Sequence, residues 1–155
     1  MTDRQPVDNH VLRLGDDEIA FRVTSAESGG ALVAFDMTMP SGGGPPGLHR
    51  HPSAEVYRVE SGELTFHVAE EDGAVRCVTA GPGDVIHIPG GRAHTIRNAT
   101  ASDACAYVVF VPGGEMEAFA RAAAAAPPED VMALAARHGI ELVADGAAPA
   151  AAGPR

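Results

Sequence analysis

Gly43-Gly44-Pro45-Pro46-Gly47-Leu48-His49-Arg50-His51-Pro52-Ser53-Ala54-Glu55 and, further on, Gly83-Asp84-Val85-Ile86-His87-Ile88-Pro89-Gly90-Gly91-Arg92-Ala93-His94 are the stretches that decide how this chain is read. His49 and His51 are two residues apart, so an extended backbone turns both imidazoles to one face. Glu55 lies at an even offset from them and joins that face if the strand stays regular. His94 follows a tight Pro-Gly-Gly turn on a different strand. If the two strands pair, three imidazoles and one carboxylate converge. Such donors suit one divalent transition metal ion per chain, whether Fe, Mn, Ni, Cu or Zn, and do not choose among them.

Working outward, the chain from Val11 to Val111 reads as short β segments broken by turn residues. Ile19–Thr24, Leu32–Met39 and Glu55–Val59 are three of them. Leu64–Ala69 and Ala74–Thr79 flank a hairpin turn, and Val85–Ile88, His94–Asn98 and Ala104–Val111 follow. Many short strands at even spacing point to an all-β barrel or sandwich. The character then changes. Glu115–Ala125 is helical in composition, Pro127-Pro128 breaks it, and Glu129–His138 is a second helix stopped by Gly139. The division that follows is a flexible start over 1–10, a barrel over 11–112, a helical segment over 113–143 and a disordered tail over 144–155.

The two stretches extend to Gly62 and Asn98 and fill two patterns, G-x5-H-x-H-x3-E-x6-G and G-x5-P-x-G-x2-H-x3-N. Gly43, His49, His51, Glu55 and Gly62 occupy the first; Gly83, Pro89, Gly91, His94 and Asn98 occupy the second. At roughly 5% per residue type, such a match arises by chance about once in 10¹³ registers. The patterns resemble the two motifs of the cupin superfamily. That resemblance implies a single-domain jelly-roll β-barrel with short C-terminal helices. It implies a metal held by His49, His51, Glu55 and His94, with the glycines and the proline as turn makers. Asn98 is expected to fix a turn or strand end.

Composition narrows the function. The 155 residues suit one domain, and 45% hydrophobic with 21% charged residues is ordinary for a globular protein. A formal net charge of -10 argues against nucleic acid and against an anionic membrane as partners. No apolar h-region opens the chain, so it reads as cytoplasmic. Cys77 and Cys105 read as small core residues rather than nucleophiles. His67 is expected to face solvent, and His87 to be a core or surface residue, or else one that orients a ligand. Phe35, Met37, Met39, Tyr57 and Ile96 fall on inward faces and are expected to form core and, with it, a substrate pocket. Helix Glu115–Ala125 either caps the barrel mouth through Met116 and Phe119 or packs on the outer sheet, the second being favoured.

The pattern HRHPSAE, then VFVPGGEMEAF and ARHGIEL, looks like bacterial cupins related to quercetin dioxygenase and like cupin cyclases of aromatic polyketides. The resemblance implies a metal-dependent oxidoreductase of dioxygenase type acting on a small aromatic or enol-bearing substrate. Glu55 is then both ligand and proton acceptor. A redox-neutral polyketide cyclase or isomerase is the alternative, and a non-catalytic ligand-binding cupin is the third reading. Pairing into a homodimer is the expected assembly.

Overall fold

Residues Ala54–Ser61 show why these segments build a two-sheet fold. Glu55, Tyr57 and Val59 are buried, while Val56, Arg58 and Glu60 alternate with them on the outside. The same alternation recurs along the chain. The computed structural model describes residues 11–143, so the expectations for 1–10 and 144–155 lie outside the described residues. Within them run strands β1 (Val11–Leu14), β2 (Asp17–Val23), β3 (Val33–Met39), β4 (His49–Arg50), β5 (Ala54–Ser61), β6 (Leu64–Ala69), β7 (Val75–Ala80), β8 (Val85–Ile88), β9 (His94–Arg97) and β10 (Ala104–Val111). Helices α1 (Gly114–Ala125) and α2 (Val131–Arg137) follow, then a short strand β11 (Glu141–Leu142).

The strands form two antiparallel sheets, ordered β1-β2-β3-β10-β5-β8 and β11-β4-β9-β6-β7. This is the all-β jelly-roll architecture expected. Between the sheets Phe35 stacks on Phe110 at 5.8 Å and meets Phe21 edge-on at 6.0 Å, and Tyr57 meets Phe66 at 5.1 Å. Each such buried aromatic contributes about 1.5–3 kcal/mol by leaving water. Gly62 turns β5 into β6 at φ 72°, and a Cβ there would lie 2.7 Å from the Asp103 carbonyl oxygen. Asn98 ties the end of β9 to two other segments. Its Nδ2 donates to the carbonyls of Met39 at 2.8 Å and Ser102 at 2.7 Å, and its Oδ1 accepts from the Thr100 N–H.

Two short pairings complete the five-stranded sheet, and only the second was not expected. β4 pairs with β9, and β11 returns to pair with β4, with Arg50 Nε donating to Glu141 Oε2 at 2.7 Å. A two-residue strand leaves no periodicity to read, and β11 forms because β4 would otherwise be an open edge. Met116 of α1 packs against the barrel core, and α1 meets both α2 and strands β1 and β3. Arg121 lies 4.9 Å above the Phe21 ring, and Ser25 hydrogen-bonds to the buried Glu117. The second helix is preceded by a 3-10 turn at Pro128–Asp130, which Pro128 can open because no N–H is needed at that position.

Two side chains sit where alternation alone did not put them, and a third, His87, is the surface residue expected. His67 is 8% exposed, not solvated, because β6 is a central strand and Thr95 and Cys77 flank the histidine across it. Cys77 is exposed, not core, because β7 is the edge of its sheet. His87 is exposed on the outer face of β8, opposite Val56, and takes no part in the site.

Candidate metal centre

The chain changes sheet between His51 and Glu55, and that crossing builds the site. His49 stands on β4 directly opposite His94 on β9, in the five-stranded sheet. Glu55 begins the buried run of β5 in the six-stranded sheet, opposite Ile88 and Phe110. His51 occupies the link between them. The even offset of Glu55 therefore does not come from one regular strand; the carboxylate reaches the imidazoles from the facing sheet.

Backbone contacts fix the link. The Gly91 N–H donates to the His51 carbonyl at 2.7 Å, so the turn before His94 is clamped to the loop that carries His51. Gly90 makes the clamp possible, since a Cβ there would lie 2.2 Å from the Pro52 carbonyl oxygen. Gly90 is not one of the fixed motif positions, and only the close approach reveals its role. Ser53 Oγ donates to the Pro112 carbonyl at 2.8 Å and ties the loop to the end of β10.

The three imidazoles converge. Ring centroids are 4.6 Å apart for His49–His94, 5.2 Å for His51–His94 and 5.9 Å for His49–His51. One nitrogen from each lies within 4.8 Å of the others. Metal–nitrogen bonds of about 2.0–2.1 Å reach all three after small side-chain shifts. Two of the rings are already oriented: Nδ1–H of His49 donates to the Gly47 carbonyl at 3.1 Å, and Nδ1–H of His94 to that of Arg92 at 2.8 Å. Both rings then aim an Nε2 lone pair inward, the arrangement of metal-bound histidines. His51 Nε2 lies 2.8 Å from Glu55 Oε1.

The donor set fits a cation on its own evidence. His94 Nε2 and Glu55 Oε2 are buried 3.2 Å apart, and neither atom has any other hydrogen-bond partner. With the His94 proton on Nδ1, two lone pairs face each other out of water. Only a positive charge between them relieves that arrangement, whether a proton or a metal ion. The ionisation of the site says the same. Burial by itself would raise the Glu55 carboxyl, but hydrogen bonds and charge from His51 and His94 pull it down to about 2. Burial lowers His94, and the hydrogen bond and charge of Glu55 outweigh it and leave the group raised. His49 is lowered, by burial first and by His94 second. The Tyr57 phenol is pushed well above its usual value by burial and by Glu55.

The structure thus brings His49, His51, Glu55 and His94 together. Phe35, Met37, Met39, Tyr57 and Ile96 are all in the packed core, 6% exposed or less. They line neither of the two cavities beside the site. One cavity, of about 480 Å³, is floored by His51 and bounded by Phe110, Met116 and Ile140; the other, of about 630 Å³, lies beside His49 under Phe119 and Met132. Alternation correctly turned the five inward.

The comparisons agree with this geometry. Residues 35–110 match the family model described as a cupin domain. Structures of oxalate decarboxylase from Bacillus subtilis superpose with a TM-score of 0.59 and 25% sequence identity, over 68% of this chain and 28% of that chain. A further form of that enzyme gives 26% identity over the same shares and the same TM-score. A protein from Thermus thermophilus shows 27% identity over 54% of this chain and 75% of that chain, with a TM-score of 0.48. No curated protein matches the chain. The chain belongs to the cupin superfamily. It spans about 28% of the oxalate decarboxylase chain, an enzyme whose Mn(II) centres have been described. No helix among the described residues is long and apolar enough to cross a membrane.

Proposed function

We propose that this cupin is a metal-dependent enzyme of small-molecule metabolism, a dioxygenase-type oxidoreductase acting on an aromatic or enol-bearing substrate. The observation that carries the reading is the inward convergence of three imidazoles and Glu55 beside an apolar-walled cavity. A bound divalent metal would supply Lewis acidity that lowers the pKa of an enol and a route for its electrons to O₂. The Gly47 and Arg92 carbonyls hold His49 and His94 in the ligating orientation. Glu55 completes the ligand set as an anion. It accepts a substrate proton only as the bonds from His51 and His94 are released, because those bonds hold its carboxyl at about 2.

A second reading is redox-neutral: a cyclase, isomerase or lyase. The likeness to an enzyme named a decarboxylase favours it. In either case the protein works in the cytoplasm as a homodimer, which light scattering checks. The experiment that separates the readings is an oxygen-electrode assay of metal-loaded protein on a panel of flavonols and aromatic polyketides. Oxygen uptake matched to substrate loss supports the dioxygenase. Substrate loss without oxygen uptake supports the redox-neutral enzyme. No turnover with metal bound overturns both and leaves a ligand-binding protein.

A further inference from the structure

Of the three imidazoles, His49 is the least enclosed. It borders the larger cavity, of about 630 Å³, whose walls include Pro45, Phe119, Val131, Met132, Ala135 and Leu142. Met132 and Leu142 are exposed on that wall. The one charged residue of the lining, Glu141, is already paired with Arg50 at 2.7 Å. Apolar walls with no unpaired charge take an uncharged ligand, and Phe119 beside Met132 suits a flat aromatic one. The smaller cavity is the less suited of the two, because Glu115 and Arg137 bring charge to its lining.

The two cavities meet at one side chain. Gly139 and Ile140 are the residues that border both, and Gly139 has no side chain to divide them. The position of Ile140 is set by the end of α2, not by the two-residue pairing of β11. Gly139 turns the chain at φ 78°. Its N–H donates to the Ala136 carbonyl at 3.2 Å, and the Ile140 N–H donates to that of Ala135 at 3.0 Å. Such bonding closes a helix at a glycine and holds the following residue against its last turn. His49 borders one cavity and His51 the other, so a ligand on the metal they share lies alongside Ile140. It cannot widen from one cavity into the other without displacing that side chain.

We propose that the cavity beside His49 takes the uncharged aromatic body of the substrate and that Ile140 limits its width. The proposal rests on the reading of His49, His51, Glu55 and His94 as a metal-dependent active site. Its test is calorimetric titration of zinc-loaded protein, zinc bringing no redox chemistry of its own. The probes are 3-hydroxyflavone and its 4′-phenyl and 4′-carboxylate derivatives. Wild-type protein binds 3-hydroxyflavone about tenfold more tightly than the 4′-phenyl derivative, which crowds Ile140. It also binds it more tightly than the carboxylate, whose charge finds no partner. Ile140→Ala removes the penalty on the phenyl derivative at unchanged zinc content, and Ile140→Val removes part of it. Met132→Gln, at an exposed position, weakens binding of 3-hydroxyflavone. Equal binding of the flavone and its phenyl derivative, a penalty that survives Ile140→Ala, or a carboxylate bound as tightly as the flavone overturns the proposal. So does a Met132→Gln variant that loses self-association instead of flavone affinity, which assigns that wall to a second copy of the chain. Zinc content is measured first: wild-type protein that holds no zinc sinks the metal reading. A zinc-loaded protein that does not bind the flavone, or whose binding ignores Ile140 and Met132, sinks this inference alone.

Discussion

Glu55 and Asp17 are both carboxylates drawn into the same barrel, and the protein drives them in opposite directions. Burial raises the Asp17 carboxyl to about 6, with the nearby charge of Asp16 adding to it, and Asp17 Oδ1 is buried without a partner. Burial acts on Glu55 too, yet His51 and His94 bring that group down to about 2. Burial alone makes a carboxylate a reluctant anion; two facing imidazoles make it a ligand. The site is therefore defined by the company of its acid and not by the depth at which it sits.

Removing that company has the largest expected effect. His49→Ala, His51→Ala and His94→Ala each lose a direct ligand, so metal affinity falls by more than the roughly 10–100-fold that loss of an outer partner costs. Equilibrium dialysis against Zn²⁺ checks it, and full occupancy in all three variants contradicts the ligand set. Glu55→Gln comes next. It keeps an oxygen donor and removes the charge, so affinity falls by less than in the histidine variants, and the His94 pKa falls back from its raised position. An NMR titration of the apo variant reads the second effect; an unmoved His94 would break the pairing of Glu55 with that ring.

Gly90→Ala sharpens the comparison without touching a ligand. The new Cβ would meet the Pro52 carbonyl at 2.2 Å, so the clamp between the His94 turn and the His51 loop must open. The expected cost is about 1–3 kcal/mol of stability with weaker metal binding, read by denaturant melts and dialysis. Asp17→Asn is the smallest and has the opposite sign. Between the unfolded value of 3.8 and the folded value of about 6, the folded state keeps a proton that the unfolded chain has lost. Stability therefore falls as pH rises through that window and stays lower above it. The substitution raises the melting temperature at pH 7.5 by about 2–4 °C, after allowance for the water that still reaches the group. The gain shrinks toward zero below pH 4. A gain independent of pH would assign the effect to packing.

The metal centre was legible because its information is local: four ligand types at fixed spacing, with Gly62 and Gly91 where the chain must turn. The β region was legible through alternation, as in Glu55, Tyr57 and Val59. What escaped was tertiary. Alternation says which way His67 and Cys77 point but not whether their strand is central or an edge, and that decides which is buried. It turned Met37 and Met39 inward, and both are buried. The pairing of β11 with β4 and the placing of Ile140 in the cavity that His51 lines depend on how a short C-terminal segment folds back, and no spacing rule carries that.

The most direct test of the central claim is the difference in melting temperature between metal-loaded and metal-free protein as a function of pH. Ligand imidazoles bind metal only when neutral, so protons and metal compete for the same lone pairs. His49 is lowered and already neutral at pH 7. His94 is raised by Glu55, so it takes up its proton first as pH falls and opens the competition. With free metal at about a thousand times its dissociation constant, binding adds about 4 kcal/mol, which for a chain of this size is about 10 °C. That gap is expected in full at pH 7.5 and is expected to close as pH falls to 5. A gap that stayed constant over the same range would contradict ligation by His49, His51 and His94.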